Sequence, residues 1–369
     1  MFAMETPQVE LQHIKRVSRI KHEILTKYLP SWARILGSAF DLLYYVDCFA
    51  GPGRYEFEGG AVDGSPIIAT KAGIEFATAN PGKKLGLVLV EDNAAQLKQL
   101  KVGLDSTLPY PANFQVVTKL TDSREIIPRV IAGIKARKSP SFFLVDPYGH
   151  PLSIPMMNDI LALPHSELLI NLMWYRINMD MKNDAVVHHV TELFGDEDWM
   201  RQPFVHQHGA RREDGFLDYF CGRLSARYVL PFRIRYDARE DRVAGNRTKY
   251  YLIHASNSLK ALFLMKDVMW RLGDEEGTFD FSGNSQGVLI SETPQLDKLK
   301  AALLREFAGQ QVAFDDVCGR TWRLPFIEKH YRSVLQELRS TGIIEVISVS
   351  SKGKGLAGRD LVRFPKEQP

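Results

Sequence analysis

Asp47-Cys48-Phe49-Ala50-Gly51-Pro52-Gly53 follows directly on an apolar run, Leu42 to Cys48. Glycines at such a point let the backbone approach a ligand closely, because no Cβ intrudes and unusual φ values cost little. In doubly wound sheets, ligands bind beyond the carboxyl ends of the strands, where the strand order reverses. Asp47, Phe49, Ala50, Gly51 and Gly53 are therefore candidate ligand-binding residues, with a tight structural turn as the plainer reading. Glu91 ends a second apolar run, Leu85 to Glu91, where an acid can hold two vicinal hydroxyls. Asp92 beside it is a candidate helix cap. Thr121 and Asp122, after a third run, suit a hydrogen bond to an exocyclic amine, and Asp122 suits a helix N-cap equally well. Asp146-Pro147-Tyr148-Gly149 closes a fourth run, Ser141 to Val145.

The spacing of these residues discriminates between nucleoside ligands. A dinucleotide site needs a third glycine and an acid about 20 residues on. Here Glu56 holds the third glycine position, and Glu91 lies much farther along. No GxxxxGK[ST] occurs, so a P-loop is absent. S-adenosylmethionine carries no phosphate and needs a glycine loop followed by a ribose-binding acid, which is the order found. Amino-methyltransferases place [DNS]-P-P-[FYW] after the fourth strand. There the acid or amide and the first proline carbonyl accept from the target amine, while the ring stacks on a flipped base. This chain has one proline, and its ring comes one place early. Asp146 remains a candidate acceptor with Pro147, and the stacking role of Tyr148 is in doubt. Cytosine C5 chemistry would need a nucleophilic cysteine here. Cys48 instead lies in the first motif and Cys221 in an expected helix. His188-His189 and His206 with His208 lack a carboxylate or helical i,i+4 partner, so no metal site is expected.

The elements that must position these residues alternate strand with helix, which implies a mainly parallel sheet. Val9 to Gly37 reads as one long helix, weakened at Pro30. Its outer face carries Lys15, Arg16, Arg19, Lys21 and Lys27 against Glu23, a solvated face before a nucleic-acid contact. Strands are expected at 42–48, 85–91, 114–117, 141–145 and 168–173, with helices at 65–79, 93–103 and 123–137. Strands at 228–236 and 249–255 suit an antiparallel pair at the sheet edge, and 257–272 reads as a helix. The expected organisation is an N-terminal helical segment (1–40), a Rossmann-like doubly wound domain of the class I methyltransferase type (41–272), a linker (273–294) and a winged-helix-like module (295–369). In that module, Lys329 and Arg332 near the start of a helix, and Lys352, Lys354 and Arg359 at a hairpin tip, are candidate nucleic-acid contacts. Packing of the module on protein is the competing reading.

Composition agrees with a globular protein: 45% apolar and 25% charged over 369 residues, enough for one large domain and a smaller one. Apolar runs fall short of the roughly 20 residues that span a bilayer, and residues 1–10 lack the layout of a secretory signal. Three scattered cysteines argue for a reducing, cytoplasmic setting. The net charge of +3 equals the excess in Gln311–Pro369, where ten Lys and Arg stand against seven Asp and Glu. Any affinity for a polyanion must therefore come from patches.

Several segments together resemble the three-Cys-motif partner proteins, TcmP. They are KHEILTKYL (Lys21 to Leu29) with Trp32, YYVDCFAGPGRY (Tyr44 to Tyr55), Gly64-Ser65-Pro66 and Asp146 to Gly149. YYLIHASNS (Tyr250 to Ser258) and MKDVMW (Met265 to Trp270) add to them. The resemblance implies a methyltransferase-like Rossmann domain and a partner of radical-S-adenosylmethionine type that itself carries the three cysteines. Cys48, Cys221 and Cys318 are then no cluster site. Two functions are expected from this. One is S-adenosylmethionine-dependent methylation of a nucleic-acid base amine. The alternative is a non-catalytic or weakly catalytic protein that binds its three-Cys-motif partner through the same fold.

Overall fold

The structure is a computed structural model that describes residues 11–147, 149, 152–237, 247–273, 279–281, 296–348 and 356–366. It divides into two compact units, Met1–Ala261 with Phe281–Asn284, and Leu262–Asp280 with Ser285–Pro369.

The first unit opens with α1 (Arg16–Gly37). Val17, Ile20, Ile24, Leu25, Tyr28 and Trp32 form its buried stripe, the spacing expected of a helix lying on a core. The helix starts later than residue 9. Ile14 N donates to Glu56 O at 3.0 Å and Glu56 N to Gln12 O at 2.9 Å, so the preceding chain is extended. β1 (Leu42–Asp47), the hairpin β2 (Arg54–Phe57) and β3 (Gly60–Asp63), α2 (Ser65–Ala79), β4 (Lys84–Glu91) and α3 (Ala94–Asp105) follow. β5 (Phe114–Leu120), α4 (Ser123–Arg137), β6 (Ser141–Val145), α5 (Ile154–Leu161) and β7 (Ser166–Leu172) continue the alternation. Every residue of β6 and β7 is buried, as parallel strands covered on both faces require. After α6 (Trp174–Asp180), α7 (His188–Phe194) and α8 (Gly209–Arg223), the chain returns to the sheet as β8 (Tyr228–Arg235) and β9 (Thr248–Ser256). β10 (Asp280–Phe281) pairs beyond β8, and α9 (Leu259–Leu272), which precedes it, belongs from Leu262 on to the second unit.

The sheet order is β10-β8-β9-β7-β6-β1-β4-β5. β5, β4, β1, β6 and β7 are mutually parallel. β8 and β9 form the antiparallel pair expected toward the edge of the sheet, with β9 set between β7 and β8 and the two-residue β10 beyond. Numbered along the chain without β10, the seven strands read 3-2-1-4-5-7-6 with the seventh reversed. This is the doubly wound sheet of class I methyltransferase type. Its order reverses at β1, which lies between β4 and β6.

Buried polar contacts fix α1 against this sheet. Tyr28 donates its hydroxyl to Glu167 of β7, which His254 Nε2 also meets at 3.1 Å. The Tyr250 hydroxyl donates to Val17 O. A buried carboxylate such as Glu167 is tolerated because it has partners, and those partners come from α1 and β9.

The second unit is a winged helix. α10 (Leu296–Glu306), β11 (Gln311–Ala313), α11 (Phe314–Arg320) and α12 (Glu328–Ser340) precede the antiparallel pair β12 (Glu345–Ile347) and β13 (Leu361–Arg363). β13 is central in a three-stranded sheet, with Val362 paired to both Val312 and Val346. The helix α11 was not apparent from the sequence: it is seven residues long and includes Gly319. From α9, the buried Lys266 donates to the carbonyls of Trp322 and Leu324, each at 2.7 Å. Phe263 and Trp270 set their rings edge-on to Tyr331 and His330 of α12.

Candidate active site

The residues singled out in the sequence converge at the switch point. β1 ends on Asp47, which is fully buried. Asp47 accepts from the Tyr45 hydroxyl at 3.2 Å and from Phe49 N at 3.3 Å, and it also pairs with the Ser65 hydroxyl. Burial pushes its carboxyl up to about 7, helped by the charge of Asp146 and opposed by those hydrogen bonds. Beyond it the chain is held to both neighbouring strands. Cys48 N donates to Leu144 O at 2.9 Å and Ala50 N to Val90 O at 2.8 Å. Gly51 and Gly53 adopt φ of +65° and +83°, a left-handed backbone that favours glycine. A Cβ on Gly51 would stand 2.8 Å from the Tyr55 hydroxyl, and one on Gly53 2.8 Å from Leu100 Cδ1.

Glu91 ends β4 and clamps this loop. Its Oε2 accepts from Gly51 N at 2.7 Å and its Oε1 from Asn93 N at 2.9 Å. Burial raises its carboxyl above the usual range, and the two amides pull the other way. Asn93, not Asp92, caps α3, its Oδ1 accepting from Ala95 N and Gln96 N at 2.9 and 3.1 Å. At the end of β5, Asp122 is the N-cap of α4, accepting from Arg124 N at 2.7 Å. Thr121 donates its hydroxyl to Glu125 at 3.0 Å. Ser123, which the sequence reading passed over, donates its hydroxyl to Cys48 O and so ties α4 to the loop. Cys48 itself is buried, and its thiol is pushed well up by that burial and by Asp47.

Asp146 follows β6. Its Oδ1 accepts from Asn171 Nδ2 of β7 at 2.7 Å, and its Oδ2 is ion-paired with Lys21 of α1. Pro147 is buried and Tyr148 lies outside the described residues. Lys21 thus does not belong to a solvated face: its side chain is 15% exposed. His22 beside it is buried, and burial together with the charge of Lys21 lowers it to about 3, so the ring is neutral. That ring lies 5.8 Å from the ring of Tyr55. Three carboxylates from β1, β4 and β6 therefore meet at one end of the sheet, beside a glycine loop. The sequence located all three but missed Lys21, Asn171 and Ser123.

The basic residues of the winged helix fall into three groups. Lys329 and Arg359 are exposed. Arg332 is engaged within the module, donating to Glu328 Oε1 at 2.9 Å and to Leu356 O, with its guanidinium 4.6 Å from the centre of the Phe314 ring. Lys352 and Lys354 lie outside the described residues.

A family model described as "GMT-like wHTH domain" matches residues 273–351. The comparison with curated proteins finds no match. Among solved structures, the chain is similar to LPL1258 from Legionella pneumophila, with 14% identity and a TM-score of 0.36, covering 65% of this chain and 85% of that one. It is similar to MNMC2 from Aquifex aeolicus, with 12% identity and a TM-score of 0.32, covering 67% and 63%. It is also similar to human methyltransferase-like protein 13 in complex with SAH, with 11% identity and a TM-score of 0.31, covering 69% and 90%. The strand order, rather than these distant likenesses, defines the fold type. The chain combines a methyltransferase-type doubly wound sheet with a C-terminal winged helix.

Proposed function

We propose that the chain is an S-adenosylmethionine-dependent methyltransferase acting on a base amine of nucleic acid. The observation that carries this reading is the meeting of Asp47, Glu91 and Asp146 at the carboxyl ends of three neighbouring parallel strands at the switch point, around the loop bent at Gly51 and Gly53. The donor set fits the cofactor. Glu91 and Asp146 place carboxylates at this end of the sheet, and Lys21 is paired to Asp146, an arrangement that suits a cationic nucleoside better than a phosphorylated one. When bound, the cofactor supplies a methyl group on a sulfonium sulfur. Asp47, Phe49, Ala50, Gly51 and Gly53 would hold its amino-acid portion, Glu91 its ribose hydroxyls, and Thr121 with Asp122 its adenine. Asp146 would receive the target amine and turn its lone pair toward the methyl group, with Pro147 and Tyr148 completing the motif.

The winged helix is the proposed nucleic-acid docking element, through Lys329, Lys352, Lys354 and Arg359, with Arg332 supporting the helix that presents Lys329. The family resemblance adds a three-Cys-motif, radical-S-adenosylmethionine-type protein as proposed partner, testable by co-purification. A cytoplasmic setting is part of the proposal, in keeping with the three unpaired cysteines; among the described residues no helix is long and apolar enough to cross a membrane.

Two measurements test the reading. Calorimetry on the folded, monodisperse protein is expected to show binding of S-adenosylmethionine and of its demethylated product; no binding of either would refute it. Nucleoside mass spectrometry of cells with and without the protein is expected to reveal a methylated base amine lost with the gene.

A further inference from the structure

Helix α1 carries an ammonium into the site, and the hydrogen-bond inventory there is incomplete in a specific way. A carboxylate offers about four lone-pair positions. Among the described residues Asp146 uses one on Asn171 Nδ2 and one on Lys21 Nζ, so each oxygen keeps room for another donor. Lys21 has three N–H donors, and Asp146 is its partner among the described residues. Asn171 is 5% exposed, and its Oδ1 accepts no hydrogen bond among the described residues. Because Asn171 Nδ2 lies on Asp146, this orphaned oxygen sits close beside the same carboxylate. His22, next on α1, is buried, its Nδ1 has no partner among the described residues, and it reaches through Tyr55 to the Gly51 loop. The cluster is therefore continuous with the proposed cofactor loop.

We propose that Lys21, Asp146 and Asn171 form one recognition unit for an amidine edge, an exocyclic amine beside an unprotonated ring nitrogen. The two amine hydrogens go to Asp146 and to Asn171 Oδ1, and Lys21 donates to the ring nitrogen. Holding both N–H bonds leaves the nitrogen lone pair directed out of the ring plane. Adenine (N6 beside N1) and cytosine (N4 beside N3) present this edge. Uracil and thymine set a carbonyl oxygen against Asp146, and the Watson–Crick edge of guanine sets an N–H against Lys21. A site built on buried polar groups rejects such mismatches strongly, because the groups are left unpaired. The inference rests on the methyl-transfer reading and names its acceptor.

Saturation-transfer NMR on the full chain, with S-adenosylhomocysteine present, can rank adenosine, cytidine, guanosine and uridine. Adenosine, cytidine or both should give signals at least about five-fold above those of uridine and guanosine. Lys21→Met and Asn171→Leu should erase that preference and Lys21→Arg should keep it, while calorimetric affinity for S-adenosylhomocysteine stays within about three-fold. A uridine signal equal to those of adenosine and cytidine, or an unchanged preference in Lys21→Met, would overturn the proposal. If a variant does not fold, the wild-type ranking and Lys21→Arg still decide. Failure of the wild-type protein to bind S-adenosylhomocysteine counts against the transfer reading, whereas the nucleoside ranking judges this one.

Discussion

Glu91→Ala separates two roles that the structure gives one carboxylate. Both oxygens of Glu91 accept from backbone amides, Gly51 N and Asn93 N, at 2.7 and 2.9 Å. Hydrogen bonds to a charged group contribute about 1.5–3 kcal/mol each, and truncation leaves room for water to satisfy part of the loss. The expected destabilisation is therefore about 2–4 kcal/mol, a large share of a typical 5–15 kcal/mol. For a unit of this size, that lowers the melting temperature by roughly 5–15 °C. Glu91→Gln keeps one acceptor but turns an NH2 toward the other amide, so it should fall between wild type and alanine. If Glu91 also holds the ribose, S-adenosylhomocysteine affinity should drop in Glu91→Gln by about ten-fold or more even where the protein is fully folded. Differential scanning calorimetry and isothermal titration on the three proteins provide both numbers. A Glu91→Ala protein with wild-type melting temperature would refute the clamp. A folded Glu91→Gln protein with wild-type affinity would restrict Glu91 to loop structure.

Four further outcomes follow from named groups. Asp47 holds a proton in the folded state up to about pH 7 that an unfolded aspartate loses near 3.9. Stability should therefore fall as pH rises from 4.5 to 7.5, and Asp47→Asn should remove about 2–4 kcal/mol of that fall in urea titrations; equal slopes in the two proteins would sink the assignment. Burial draws Lys266 down to about 7, with Cys318 and His330 nearby. The unfolded chain then binds more protons above pH 7, so α12 amide protection should rise by about 1–2 kcal/mol from pH 7 to 8.5 and stay flat in Lys266→Met. Asp146→Ala leaves the mostly buried Lys21 unpaired and should cost about 2–3 kcal/mol, which Lys21→Met added on top should largely restore; additive losses in a double-mutant cycle would deny the coupling. Replacing Lys352, Lys354 and Arg359 together should flatten the slope of log affinity against log salt by about two to three units on nucleic acid, and an unchanged slope would assign the module to protein contact.

Long, strongly patterned elements were readable. The bounds of α2, α4 and β6 coincide with the ranges expected from periodicity, because each has a clear start: Ser65-Pro66 after a glycine, Asp122 as a cap, and an all-apolar five-residue run. Elements defined by partners remote in sequence were not readable. The β2–β3 hairpin reads as a glycine-rich loop, since its four-residue strands gain regularity only by pairing Arg54–Phe57 with Gly60–Asp63. The insertion of β9 between β7 and β8 depends on Leu168 facing Ala255 and Val229 facing the same residue from the other side, which no local pattern encodes. In the site, the three acids were visible because each ends an apolar run. Asn171 was hidden because it lies inside such a run.

Lys21 was misread for a reason that its own position could have corrected. It stands four residues after Val17 and three before Ile24, so it falls within the buried stripe of α1, not opposite it. An ammonium in that stripe requires a counter-charge, because burying an unpaired ion costs several kcal/mol. Tyr28 and Tyr250 fix the helix against β7 and β9 through Glu167 and Val17 O, and that docking brings Lys21 to Asp146. The same contact explains why position 146 carries an acid here. An asparagine or serine would accept from a target amine equally well, but it would leave Lys21 without a charge partner. The helix upstream of the sheet is thus part of the site, and the identity of the fourth-strand residue follows from it.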